Sequence, residues 1–134
     1  MIKSFLFVGF FSVTVSGCAT VDTVKGWVPS FWDDNQSAKI IDVRQLVAQL
    51  DCQQEHLPQV KRIKDNLHWF ELYSDSKGMR QQDVLRISKP MQETVDDFYK
   101  RSLSQQGSVV YCELKKKILT TQSEHAAQAI LGRF

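Results

Sequence analysis

The sequence predicts an all-α fold, a small antiparallel four-helix bundle stapled by one disulfide, and three observations carry that expectation. Four stretches place large apolar residues at three- and four-residue steps, the spacing that lines one face of a helix. Short polar or glycine-bearing segments separate them, and such loops favour antiparallel neighbours. Two cysteines, Cys52 and Cys112, fall near the end of the first stretch and the start of the fourth, places that an up-down bundle brings to the same end.

In the first stretch, from Ser37, Ile40, Val43, Val47 and Leu50 set the stripe and Ile41 and Leu46 widen it, with Asn35 or Ser37 as the expected cap. Pro58 suits a first helical turn and opens the second stretch, where Val60, Ile63, Leu67 and Phe70 keep the spacing. Trp69, Leu72 and Tyr73 broaden its far end, and Ser74-Asp75-Ser76-Lys77-Gly78 ends it. The third stretch, about 81–104, aligns Val84, Ile87, Met91, Val95 and Phe98. Pro90 inside it removes an amide donor and crowds the preceding turn, so a kink or a split is expected there. After Gln105-Gln106-Gly107 the fourth stretch carries Val110, Leu114 and Ile118, then Ala126, Ile130 and Leu131, as its expected core face. Val109-Val110-Tyr111 is the one short apolar run that suggests a strand.

The first seventeen residues read differently. One positive charge, Lys3, precedes a run from Phe5 to Val15 broken only by Gly9, Ser12 and Thr14, the pattern of an export leader. As a helix that run reaches about 16 Å, roughly half of a 30 Å hydrocarbon core, so a stable span is not expected. Val15-Ser16-Gly17-Cys18 then resembles the lipobox of bacterial lipoproteins. That resemblance implies diacylglycerol on the Cys18 thiol, cleavage before Cys18, and a membrane anchor made effectively permanent by three acyl chains. An ordinary secretory leader or a short uncleaved anchor are the alternatives. Ala19 after the cysteine resembles lipoproteins sorted to the outer membrane, which places the expected location on its periplasmic face.

The expected organisation is therefore a signal peptide over 1–17, an acylated N-terminus and tether over 18–36, and a helical domain over 37–134. Gly26, Pro29 and the run Trp32-Asp33-Asp34-Asn35 mark residues 19–36 as tether and helix start, and those eighteen residues span about 60 Å fully extended. Trp27, Phe31 and Trp32 lie on it, as cover for the bundle's open edge, as anchors at the membrane interface, or as a contact for a partner.

The whole chain has 17 basic and 15 acidic residues, and losing Lys3 with the leader leaves a near balance that gives no support to a nucleic-acid binder. Setting Cys18 aside leaves Cys52 and Cys112 in an oxidising compartment, where they are expected to pair rather than persist as buried thiols. No catalytic signature appears, neither a glycine-flanked nucleophile, a phosphate-binding glycine loop nor a distinctive pair of carboxylates. His56, His68 and His125 have no metal-site spacing, and neither a metal nor another cofactor is expected beyond the lipid on Cys18. His68 and Glu71 read as a solvated helix pair, His56 beside Glu55 as loop, and Lys115-Lys116-Lys117 as a solvated face.

The lipobox, the tether, Leu50-Asp51-Cys52 followed by Leu57-Pro58, and the distal Cys112 together resemble secretin pilotins, over about eighty residues. The resemblance implies a disulfide-linked four-helix fold that binds a secretin subunit and targets it to the outer membrane. The aromatic tether and the proline-interrupted third helix depart from that pattern. The leading expectation is broader: a non-enzymatic envelope module, anchored by lipid and contacting another envelope protein, without a small-molecule substrate. An envelope factor encoded by a phage or plasmid is a further alternative.

Overall fold

Asp33 starts the bundle. In the computed structural model, which describes residues 33–104 and 108–132, helix α1 (Asp34–Ala48) opens where the Asp33 carboxylate accepts the Gln36 amide at 3.0 Å. That bond satisfies one of the donors every helix leaves free at its N-terminus. The cap is thus neither Asn35 nor Ser37, which both lie inside the first turn. The helix begins within the segment assigned to the tether, and Gln36 from that segment is buried.

Helix α2 (His56–Ser76) carries Pro58 in its first turn, where the missing amide has no helical acceptor to lose. It ends before Gly78, whose φ of +79° is one that glycine adopts without a Cβ clash. A single 3-10 turn (Met79–Gln81) leads into α3 (Gln82–Ser104). That helix runs unbroken across Pro90, so the chain is not split there. Pro90 faces solvent, where water can reach the carbonyl left without its donor. Helix α4 (Val109–Leu131) is capped by Ser108, which accepts the Tyr111 amide; Val109-Val110-Tyr111 is its first turn and not a strand.

Each helix packs on two others, α1 on α2 and α4, and α3 on α2 and α4, which makes a square. Cross-links show that neighbours run in opposite directions. Gln36 at the start of α1 meets Ser74 at the end of α2. Gln92 of α3 donates to the Leu67 carbonyl, Lys115 of α4 reaches Asp97 of α3, and Lys116 donates to the Leu50 carbonyl. This is the antiparallel four-helix bundle, and Cys52 and Cys112 are bonded with their Cα atoms 5.6 Å apart.

The expected stripes of the first three helices form the core. Ile40, Val43, Val47 and Leu50 meet Val60, Ile63, Leu67 and Phe70, and Val84, Met91, Val95 and Phe98 close the centre. Phe98 and Tyr111 pack edge to face, with ring centroids 5.7 Å apart. Ile41, expected to widen the α1 stripe, and Trp69 and Leu72, expected to extend that of α2, are exposed.

The first half of helix α4 turns a different face inward from the one expected, whereas Ala126 and Ile130 are buried and Leu131 packs against the core, as expected. Cys112, Leu119, Ser123, Ala126, Ala127 and Ile130 are buried, while Val110, Leu114 and Ile118 point outward. The disulfide sets this rotation. Cys112 must face Cys52, and positions 119, 123, 126 and 130 share its side of the helix.

Two measurements check the arrangement. Leu119→Ala is expected to cost about 2–5 kcal/mol in urea unfolding, and Leu114→Ala less than about 0.5 kcal/mol, the reverse of what the outer stripe alone would suggest. The double replacement Cys52→Ala with Cys112→Ala is expected to remove up to about 4 kcal/mol, because it frees a sixty-residue loop in the unfolded chain. Its melting should no longer respond to reductant.

Candidate functional site

The two ends of the bundle are built on different chemistry. At the end where the described chain begins, the Asp33 carboxylate also accepts the Tyr73 hydroxyl and the Lys77 ammonium, each at 3.1 Å. Asn35 donates to the same Tyr73 oxygen at 2.9 Å. The Tyr73 ring stacks on Trp69, with centroids 4.9 Å apart and planes 7° from parallel, and Lys39 and Lys77 lie over the two rings. Beneath this ledge, buried Gln36 donates to Ser74 Oγ and Gln81 Oε1 at 2.9 and 3.2 Å. One amide thereby connects α1, α2 and the turn before α3.

Burial raises the Asp33 carboxyl, but the Gln36 amide, Lys77 and Tyr73 outweigh it and hold the group below the usual carboxylate range. Lys77 is raised in turn by Tyr73 and Asp33. Both shifts are explained by a structural latch.

At the opposite end the disulfide is buried, with Cys52 and Cys112 at 3% and 0% exposure, so an attacking thiolate has no path to the sulfurs. The loop between α1 and α2 is tied down around it. Gln59 accepts the Asp51 amide and donates to the Asp51 and Glu55 carbonyls. His56 is not loop, as its neighbour Glu55 suggested. It is the first residue of α2, buried, with Nε2 2.9 Å from the Cys52 carbonyl and its ring tilted against Phe98. Packing against the disulfide loop, not a ligand, accounts for it.

His68 and Glu71 lie one turn apart, 3.8 Å between Nδ1 and Oε2, and both are well exposed. They form part of the wall of a shallow groove of about 790 Å³ between α2 and α3, along with Arg86, Lys89, Glu93 and Asp96. Charges of both signs line it, which is what solvated helix faces produce. Among the described residues, no three His, Cys, Asp or Glu side chains gather as a metal site.

The lysine run divides three ways, so it is not one solvated face. Lys115 folds against Asp97 at 2.6 Å, Lys116 donates to the Leu50 carbonyl at 2.6 Å, and Lys117 is exposed. Lys115 holds the Asp97 carboxyl low, with help from the Tyr111 hydroxyl. Burial alone would lower the Lys115 ammonium, yet the bond to Asp97 leaves it raised.

Cys18 and the aromatic residues Trp27, Phe31 and Trp32 lie outside the described residues. Among the described residues no helix is long and apolar enough to cross a membrane. No protein-family model matches the chain, and neither a curated protein nor a solved structure is significantly similar to it.

The Asp33 latch has a pH signature. A carboxyl held low in the folded state contributes stability that is fully present above its unfolded value and is lost as pH falls through the folded one. The urea midpoint is therefore expected to drop as pH goes from about 4 toward 2. Asp33→Asn keeps a competent cap but not the charge, so at pH 7 it should be less stable than the wild type. The gap between the two should close at low pH; a gap independent of pH would contradict the latch.

Proposed function

We propose that this chain is a lipoprotein, anchored in the outer membrane through lipid on Cys18, whose helical domain serves at the periplasmic face as a non-enzymatic interaction or structural module. The supporting observation is how the cysteines divide. Cys52 is bonded to Cys112, so of the three in the sequence only Cys18 stands apart, directly behind Val15-Ser16-Gly17. A buried disulfide suits an oxidising compartment, and a cysteine after small residues and an apolar run suits acylation.

The shifted groups of the domain fit a structural role. Asp33 with Lys77, and Asp97 with Lys115, are pairs that join two helices, and Lys61 pairs with Asp65 along α2. In this reading the partners are the membrane, through the lipid, and an envelope protein, with neither nucleic acid nor a small-molecule substrate involved.

A second reading, a pilotin-like adaptor for a secretin subunit, draws support from one observation. Cys52 follows α1, Cys112 lies in the first turn of α4 and Pro58 in the first turn of α2, the arrangement that the pilotin resemblance implies.

Radiolabelled palmitate and membrane fractionation test the anchor. The wild type is expected to take up label and to travel with the outer membrane, and Cys18→Ser to do neither. An unlabelled wild type, or an unchanged distribution of Cys18→Ser, would overturn the proposal. Purification after mild crosslinking separates the two readings: a multimeric secretion channel lost on Cys18→Ser favours the adaptor, and other envelope proteins favour the general module.

A further inference from the structure

The outer face of α4 carries Val110, Leu114 and Ile118, a ridge at i, i+4 and i+8 directed away from the core, with Val110 80% and Leu114 55% exposed. The helix beneath it is held by the disulfide, by Lys116 on the Leu50 carbonyl and by Lys115 on Asp97. The ridge is thus fixed in place while lying outside the core cluster. One of its flanks bears Glu113 and Lys117, one turn apart, both exposed and, among the described residues, in no ion pair. The other bears Tyr111 and Lys115, whose charge Asp97 already matches.

We propose that this ridge is a self-association surface, on which a second copy of the chain lays its own α4 in the antiparallel direction. The proposal does not rest on the membrane reading. In a helix pair of that kind related by a twofold axis, each flank meets the same flank of the other copy. A flank with one acid and one base a turn apart is then its own complement. Glu113 of each copy meets Lys117 of the other.

The register that makes this pairing places the twofold axis at Lys115. It also interleaves the two ridges, so that apolar side chains from the two copies alternate every two residues, about 3 Å, along the helix axis. A parallel pair would set Glu113 and Lys117 against the Tyr111 and Lys115 flank and lose the match. A foreign helix would require only the apolar ridge, not a flank that complements itself.

Area sets the strength. From their exposed fractions the three side chains present on the order of 300 Å², well under the roughly 800 Å² that each partner contributes to a stable interface. The dimer is therefore weak and dependent on concentration.

Sedimentation equilibrium of the full chain in density-matched detergent, from about 1 to 200 μM, tests the proposal across the range where such a dimer dissociates. The expected result is a monomer–dimer equilibrium that Leu114→Asp weakens by about tenfold or more, with circular dichroism and melting unchanged. Glu113→Lys and Lys117→Glu should each weaken it, and the two together should restore it. A monomer at every concentration overturns the proposal, as does a dimer indifferent to Leu114→Asp. A double exchange as weak as the single ones overturns the reciprocal pairing. A photocrosslinker at position 114 that captures only a different protein in the native host assigns the ridge to that protein instead.

Discussion

The Cys52–Cys112 disulfide joins the one pair of adjacent helices that the chain does not already connect through a short segment. Three seams of the square, α1 with α2, α2 with α3 and α3 with α4, unite neighbours in sequence, and the ordering entropy of bringing such neighbours together is small. The fourth seam must close across nearly the whole domain. It is also the seam with the thinner apolar face. Helix α2 offers Val60, Ile63, Leu67 and Phe70, whereas α4 offers Leu119 and Ile130 as its large side chains, with Cys112, Ser123, Ala126 and Ala127 between them. Small residues let two backbones approach but remove little apolar surface from water. A covalent bond across that seam, reinforced by Lys116 on the Leu50 carbonyl, offsets what burial does not provide.

This weighting explains which parts of the fold could be read from the sequence. The first three stripes were legible because one face of each helix outweighs the other in large apolar residues. In α4 two faces compete, and the outer one has the larger side chains at the stricter spacing. Periodicity counts size, so it selected Val110, Leu114 and Ile118. The signal that corrects it was present all the same. Once Cys112 is paired with Cys52 its direction is settled, and Leu119 and Ser123 follow from helical geometry alone, on the same side as Ala126 and Ile130, which periodicity does find.

The latch at the other end was less accessible. Asp33, Asn35 and Ser37 are all good capping residues, and local preference does not choose among them. The choice comes from Tyr73 and Lys77, some forty positions away, which give Asp33 partners that a residue inside the first turn does not have. Gln36 is a similar case. As a polar residue at the end of the tether segment it reads as surface, yet Ser74 and Gln81 satisfy its amide in the interior. Burial of such a group is tolerated only because those partners are in place, and they belong to elements whose docking cannot be seen locally. His56 is a further case, its neighbours in space being the Cys52 carbonyl and Phe98.

A bundle clamped covalently at one end and by a polar latch at the other has little need of α4's outer face. Hydrophobic stabilisation comes from surface removed from water, and Val110 and Leu114 remain largely in it, Ile118 by about a third. A sequence under selection for folding alone would gain solubility from polar residues at those positions. Here three large aliphatic residues stand outside while Ser123, Ala126 and Ala127 stand inside between Leu119 and Ile130, so the helix gives up core area and retains an apolar ridge. The disulfide makes that distribution tolerable, because it holds α4 in a rotation that its side-chain sizes alone would not favour. The closure of the ring and the apolar outer face are therefore two consequences of one covalent constraint.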